Sequence, residues 1–176
     1  MSHATKADVF INREQSIVIK KHFEKCKYDW EVYALEKMNG TYAPKLLNKD
    51  DDTMTITMEF ITFDKLDLAS IIDAGDEEIF KYAKARYKLE KTLLSNYVEY
   101  WDWKNEHQFY NKEKEELILI DYDSDQTDIS SCNPLFFKDI ENQLEKKYSF
   151  LKSPVYQQEE SYQNFVKMLE SYKYRI

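Results

Sequence analysis

Glycine is almost missing from this chain: Gly40 and Gly75 are the only two in 176 residues, accompanied by three prolines. Together they make up about 3% of the sequence, against roughly 12% in average usage. Every motif that needs closely spaced glycines is therefore excluded, including the dinucleotide-binding fingerprint, the Walker A loop and the nucleophile elbow. Cysteine is equally scarce. Cys26 and Cys132 are too few for a metal site of their own and show no disulfide framework, so both are expected to be reduced, buried thiols. No stretch approaches eighteen uncharged apolar residues, which argues against a membrane-spanning helix. The first eight residues lack the apolar region of a secretory signal. A cytoplasmic location with no membrane partner is the expectation.

What is present is 43% apolar and 33% charged residues with a net charge of −8. That composition belongs to a globular chain with a real core rather than a disordered one. The acidic balance disfavours a nonspecific nucleic-acid partner, which needs a basic face to neutralise phosphates. Fourteen tyrosines and ten phenylalanines are present. Those at Tyr148, Tyr162, Phe165 and Tyr172 fall on helical stripes, where core or interface packing is the expected role.

The pattern along the chain changes near residues 62–67. Before it, residues 8–11 and 16–19 have strand character and are separated by a polar turn. A helix is expected over 25–38, with Trp30, Tyr33, Ala34 and Met38 inward and a C-cap at Asn39-Gly40. Residues 43–47 are extended, 48–52 form a charged turn, and Met54, Ile56, Met58 and Phe60 alternate with polar residues as a half-buried strand. Beyond the boundary, 76–98 is predicted as one long helix with Tyr97 and Val98 still on its inner face. A loop to His107, a hairpin of 108–110 and 116–120, and helices over 135–151 and 159–172 follow. The architecture predicted is α+β, a single domain over 1–176 divided into a sheet part, 1–61, and a helical part, 62–176.

Two segments carry chemistry. Lys20 ends an apolar strand, and Glu31 follows eleven residues later in the first helix, so a strand ammonium can pair with a helix carboxylate. Such a pair fixes a positive charge where it can meet a phosphate oxygen. The plainer alternative is a solvated strand end. The second segment is Tyr100-Trp101-Asp102-Trp103-Lys104-Asn105-Glu106-His107, followed by Leu119-Ile120-Asp121-Tyr122-Asp123. The hairpin between them should return Asp121 close to His107 and Asp102. One carboxylate could then accept a hydroxyl proton while the other holds Mg²⁺.

In order and spacing these residues resemble the protein-kinase superfamily over roughly residues 5–125. Val18-Ile19-Lys20 is similar to the family's Val-Ala-Ile-Lys strand. Glu31 stands at its helix glutamate, and Met58-Glu59-Phe60-Ile61 at the gatekeeper and hinge. The segment 100–107 resembles the catalytic loop, and Asp121-Tyr122-Asp123 the metal-binding Asp-Phe-Gly. The resemblance implies a bilobal kinase-like fold, with a small antiparallel-sheet N-lobe and a reduced helical C-lobe. It implies ATP as cofactor, with Lys20 on the α- and β-phosphates and the backbone of Glu59 and Ile61 on the adenine edge. Val9, Val18 and Phe109 would lie on the adenine faces beside Met58. It further implies Asp102 as catalytic carboxylate, Lys104 on the γ-phosphoryl group, and Asp121 with His107 at the metal.

Departures accompany the resemblance. Ser2-His3-Ala4-Thr5-Lys6 stands where a glycine-rich loop covers phosphates, and Cβ atoms restrict such an approach. His107 replaces the metal-binding Asn, and its nitrogen suits Mn²⁺ or a later metal better than Mg²⁺. An ordinary hydrogen-bonded loop histidine is the alternative there. The Ala-Pro-Glu segment is missing, and the pared-down pattern resembles the small kinases of viruses and of the tRNA-modification complex. The expected activity is a minimal ATP-dependent phosphotransferase of Ser/Thr protein-kinase type, with a protein substrate or protein partner compatible with it. The alternatives are a pseudokinase acting as an interaction module, whether or not it binds nucleotide, and a helical adaptor with fortuitous motif matches.

Overall fold

The computed structural model describes residues 7–122 and 134–173. Strands β1 (Ala7–Asn12), β2 (Ile17–His22), β3 (Leu46–Asp50) and β4 (Thr55–Glu59) form one antiparallel sheet in the order β1-β2-β4-β3, with α1 (Lys25–Met38) inserted between β2 and β3. The alternation of β4 does what a period of two should: Ile56 and Met58 are buried while Glu59 is exposed. Register pairs Val9 with Lys20, Lys20 with Ile56, and Val18 with Met58. Directly paired residues share a face, so Val9, Val18, Lys20, Ile56 and Met58 lie on one side of the sheet.

Several boundaries differ from expectation. β2 continues through Lys20, Lys21 and His22, because the ladder with β1 and β4 supplies partners that local sequence cannot. For the same reason Asn48 to Asp50 is strand rather than turn, and the turn falls at 51–54. Met54 sits in that turn with φ 52 rather than in the strand. Helix α1 has the predicted limits, but its buried face is Tyr28, Glu31, Ala34, Leu35 and Met38, with Trp30 and Tyr33 only half-buried. Asn39, in the left-handed conformation, supplies the C-cap by donating its N–H to the Leu35 carbonyl. Cys26 is exposed on the first turn of α1 rather than buried, and Cys132 lies outside the described residues.

In the helical part, a short helix not foreseen, α2 (Leu68–Asp73), follows the boundary; Asp67 caps it by accepting the Ser70 N–H at 3.1 Å. Helix α3 (Asp76–Ser95) stops before Tyr97, which takes φ 58 and is exposed; Val98 is buried in the loop beyond. The hairpin β5 (Gln108–Asn111) and β6 (Glu116–Leu119) follows, entered by a 3₁₀ turn at Asn105–His107. Helix α4 (Pro134–Lys147) gives way to a 3₁₀ turn at Ser149–Lys152, and α5 (Glu160–Lys173) packs Tyr162, Phe165 and Leu169 into the core. A part-buried ionic group joins α3 to α4: the carboxylate of Glu90 accepts from Arg86 Nε (2.8 Å), Lys147 Nζ (2.8 Å) and Tyr148 Oη (2.7 Å). Among the described residues, no helix is long and apolar enough to cross a membrane.

Candidate active site

Lys20 is carried by the inner strand β2 on the face that meets α1, and Glu31 reaches it from the buried face of that helix. The Lys20 Nζ lies 2.9 Å from Glu31 Oε2, and both side chains are buried, at 7% and 1% exposure. A solvated strand end would leave both in water, so the pairing expected from the sequence is present as geometry. The same ammonium donates to Asp121 Oδ1 at 2.6 Å, across 101 residues of chain. One lysine from the sheet thus bridges a helix carboxylate and a carboxylate of the hairpin.

Asp121 owes its place to the end of β6. The backbone there turns through φ 63, an uncommon conformation for a residue with a Cβ, and one that aspartate tolerates better than most. The 100–107 loop is tied to the same point. Tyr100 Oη donates to the Ile120 carbonyl (2.7 Å), and the Ile120 N–H donates to the His107 carbonyl (3.0 Å). Edge-on contacts of Tyr100 with Tyr122 and Trp103 pack this junction, and burial raises the Tyr100 phenol far above its ordinary range. From below, buried Gln108 donates to the carbonyls of Trp103 (3.1 Å) and Lys104 (3.2 Å) while accepting from Tyr82 Oη (3.0 Å). The Arg86 guanidinium stacks 4.3 Å above the Trp103 ring.

The loop so held brings three further side chains to Asp121. His107 Nδ1 lies 3.2 Å from Asp102 Oδ2 and its Nε2 lies 3.3 Å from Asp121 Oδ2, so the imidazole stands between the two carboxylates. Lys104 Nζ donates to Asp102 Oδ2 at 3.0 Å, and this bond raises the ammonium's pKa. Asp102, His107 and Asp121 each offer one ligand atom, all within 4.8 Å of one another. Two carboxylate oxygens and one imidazole nitrogen fit a divalent cation, with the nitrogen favouring Mn²⁺ or a later metal over Mg²⁺.

The residues expected around a nucleotide are arranged less compactly. Val18 and Met58 pack on the sheet face that carries Lys20, with Val9 on the same face but 57% exposed. Glu59 is exposed and its N–H already donates to the Lys45 carbonyl at 2.9 Å; Ile61 is half-buried. Phe109 is half-buried in β5 and bridged to Lys65. The residues standing where a glycine-rich loop would be, and Asp123, lie outside the described residues. Three contributors were missed by sequence reading: His22, Arg86 and Gln108. For His22 a signal existed, since it follows Lys20 by two in a strand and must share its face; for the other two there was none.

No family model matches the chain, and no curated protein does. Among solved structures it is similar to WbdD, described in a co-crystal with the kinase inhibitor LY294002, at 15% identity and a TM-score of 0.47. That likeness covers 97% of this chain and 44% of the other, so the chain spans less than half the length of that protein.

Proposed function

We propose that the chain is a small kinase-like phosphotransferase that moves the γ-phosphoryl group of ATP to a hydroxyl acceptor. The observation that carries this reading is the meeting of Lys20, held by Glu31, with Asp121, beside Asp102 and His107. An ammonium and two carboxylates at one place is what a polyphosphate and its cation require. In this reading Lys20 binds the α- and β-phosphates. Asp102 takes the proton of the acceptor hydroxyl as its oxygen bonds to the γ-phosphorus and the bond to the β-phosphate oxygen breaks, releasing ADP. Lys104, already bonded to Asp102, offsets charge on the transferred group. Asp121 and His107, with Asp102, would hold a divalent cation, which when bound neutralises phosphate charge.

The test is nucleotide-dependent stabilisation followed by turnover. ATP with Mn²⁺ at 100 times its dissociation constant should add about 2.7 kcal/mol to the unfolding free energy. The metal-dependent part should vanish in Asp121→Asn, and Asp102→Asn should slow transfer at least ~10²-fold. No stabilisation and no turnover with either Mg²⁺ or Mn²⁺ would defeat the proposal.

A second reading, a pseudokinase serving as an interaction module, is favoured by one feature of the same geometry. Lys20 closes directly on Asp121, and Lys104 on Asp102, so both carboxylates already have internal cations. It requires function insensitive to Asp102→Asn, and the two readings part on that variant.

A further inference from the structure

The Lys20–Glu31 pair has a third member. His22 follows Lys20 by two on β2, so both side chains leave the same face of the strand. Its backbone N–H donates to the Met54 carbonyl at 2.9 Å, which fixes the end of the strand at that point. The ring is completely buried, edge-on to Tyr28 at 6.0 Å, and Tyr28 is in turn anchored through its hydroxyl to Asp51 at 2.6 Å. His22 Nε2 lies 2.8 Å from Glu31 Oε2, the same oxygen that Lys20 approaches. Neither contact to that oxygen has the alignment of a full hydrogen bond, and His22 Nδ1 has no partner. Buried polar atoms without aligned partners are rare and call for an explanation.

The distribution of donors supplies one. Lys20 donates a well-formed bond to Asp121, whereas the Glu31 oxygens accept no aligned bond. A carboxylate as deeply buried as Glu31 needs a second N–H when its lysine is shared, because an uncompensated buried charge is strongly unfavourable. The imidazole is the group placed to give it. We infer that His22 is a positioning residue: its Nε2–H holds the Glu31 carboxylate against β2, and so keeps Lys20 aimed at the phosphate side of the site while that ammonium is shared with Asp121. The inference rests on the phosphotransferase reading for its consequence, not for the contact itself.

Two measurements test it. In ¹⁵N-labelled wild-type protein, long-range ¹H–¹⁵N correlation reads which ring nitrogen of His22 carries the proton; the chain has only three histidines, and loss of signals in His22→Gln assigns the ring. The expected result is a protonated Nε2 whose shift moves in Glu31→Gln. A bare Nε2 with the proton on Nδ1, or ring shifts indifferent to Glu31→Gln, overturns the inference. The second measurement is affinity for ATP with Mn²⁺ beside affinity for Mn²⁺ alone. His22→Phe, which keeps a ring and removes the donor, should weaken nucleotide binding roughly 10-fold, the scale of one hydrogen bond to a charged group. It should leave Mn²⁺ binding unchanged, and His22→Gln should restore most of the loss. A wild-type nucleotide affinity in His22→Phe also overturns the role. If wild-type protein binds no nucleotide, the phosphotransferase reading fails, while the protonation of Nε2 and its response to Glu31→Gln still decide what His22 does.

Discussion

Replacing Lys20 by methionine should unfold more than it inactivates. Lys20 and Glu31 are 2.9 Å apart with side-chain exposures of 7% and 1%, so the pair sits outside the reach of solvent screening. Its Coulomb attraction is set against the cost of desolvating both groups, and the pair as a whole adds little net stability. Removing one partner is different. Lys20→Met keeps most of the length of the side chain but leaves the Glu31 carboxylate buried with His22 beside it. Loss of one partner from a buried pair costs about 3–5 kcal/mol, and the neighbouring imidazole puts this case near the lower end, about 3 kcal/mol. For a chain of this size each kcal/mol moves the midpoint by about 2–4 °C, so the melting temperature should fall by roughly 10 °C. Urea unfolding followed by tryptophan fluorescence measures the loss directly, with the slope unchanged if the transition stays two-state. The decisive comparison is Lys20→Met/Glu31→Leu, which removes both charges and should recover most of the stability, to within about 1 kcal/mol of wild type. A single substitution costing less than about 1 kcal/mol, or a double variant no better than the single, would refute the account of a buried, mutually dependent pair. Inactivity of Lys20→Met alone therefore says little about catalysis.

Other predictions are more local. Glu90→Gln should cost about 2 kcal/mol in urea unfolding, since it strips the charge that buried Arg86 and half-buried Lys147 share at the junction of α3 and α4; a loss under about 0.5 kcal/mol would contradict it. Burial acts to raise the Glu90 carboxyl, but the Lys147 and Arg86 charges outweigh it and hold the group below its ordinary value. Its contribution is therefore complete above the unfolded glutamate pKa and is lost as pH falls toward the lower folded value. Glu145 behaves likewise: its bonds to Lys152 and Tyr87 lower it from 4.5 to about 2, so its share of stability fades over that interval. Acid titration monitored by circular dichroism should show Glu145→Gln losing less than wild type between those pH values; equal losses would exclude the pairing.

The two halves of the chain were not equally readable. The order β-β-α-β-β, helix α1 to the residue, and the 108–119 hairpin are written in local periodicity, because alternation and the Asn39-Gly40 stop act within a few residues. Helix α2 was hidden because six residues carry too little pattern, and its Asp67 cap is recognisable only once the chain turns there. The continuation of β2 to His22 and of β3 to Asp50 depends on ladder partners elsewhere in the chain. Fourfold counting put Tyr97 on the inner face of α3, but the helix ends at Ser95 and the tyrosine turns outward.

For the site the division is sharper. Which residues offer charge and ligand atoms was fixed by the order and type of side chains along the chain: Lys20, Glu31, Asp102, Lys104, His107 and Asp121. Local sequence acts through neighbours a few positions apart, and it can nominate such groups without measuring the space between them. That Lys20 reaches Asp121 across 101 residues, that His107 stands between two carboxylates, and that His22 shares an oxygen of Glu31 were decided only by how the sheet, α1 and the hairpin pack. Burial is the reason: these charges interact strongly because the fold takes them out of water together, and no stretch of sequence carries that information alone.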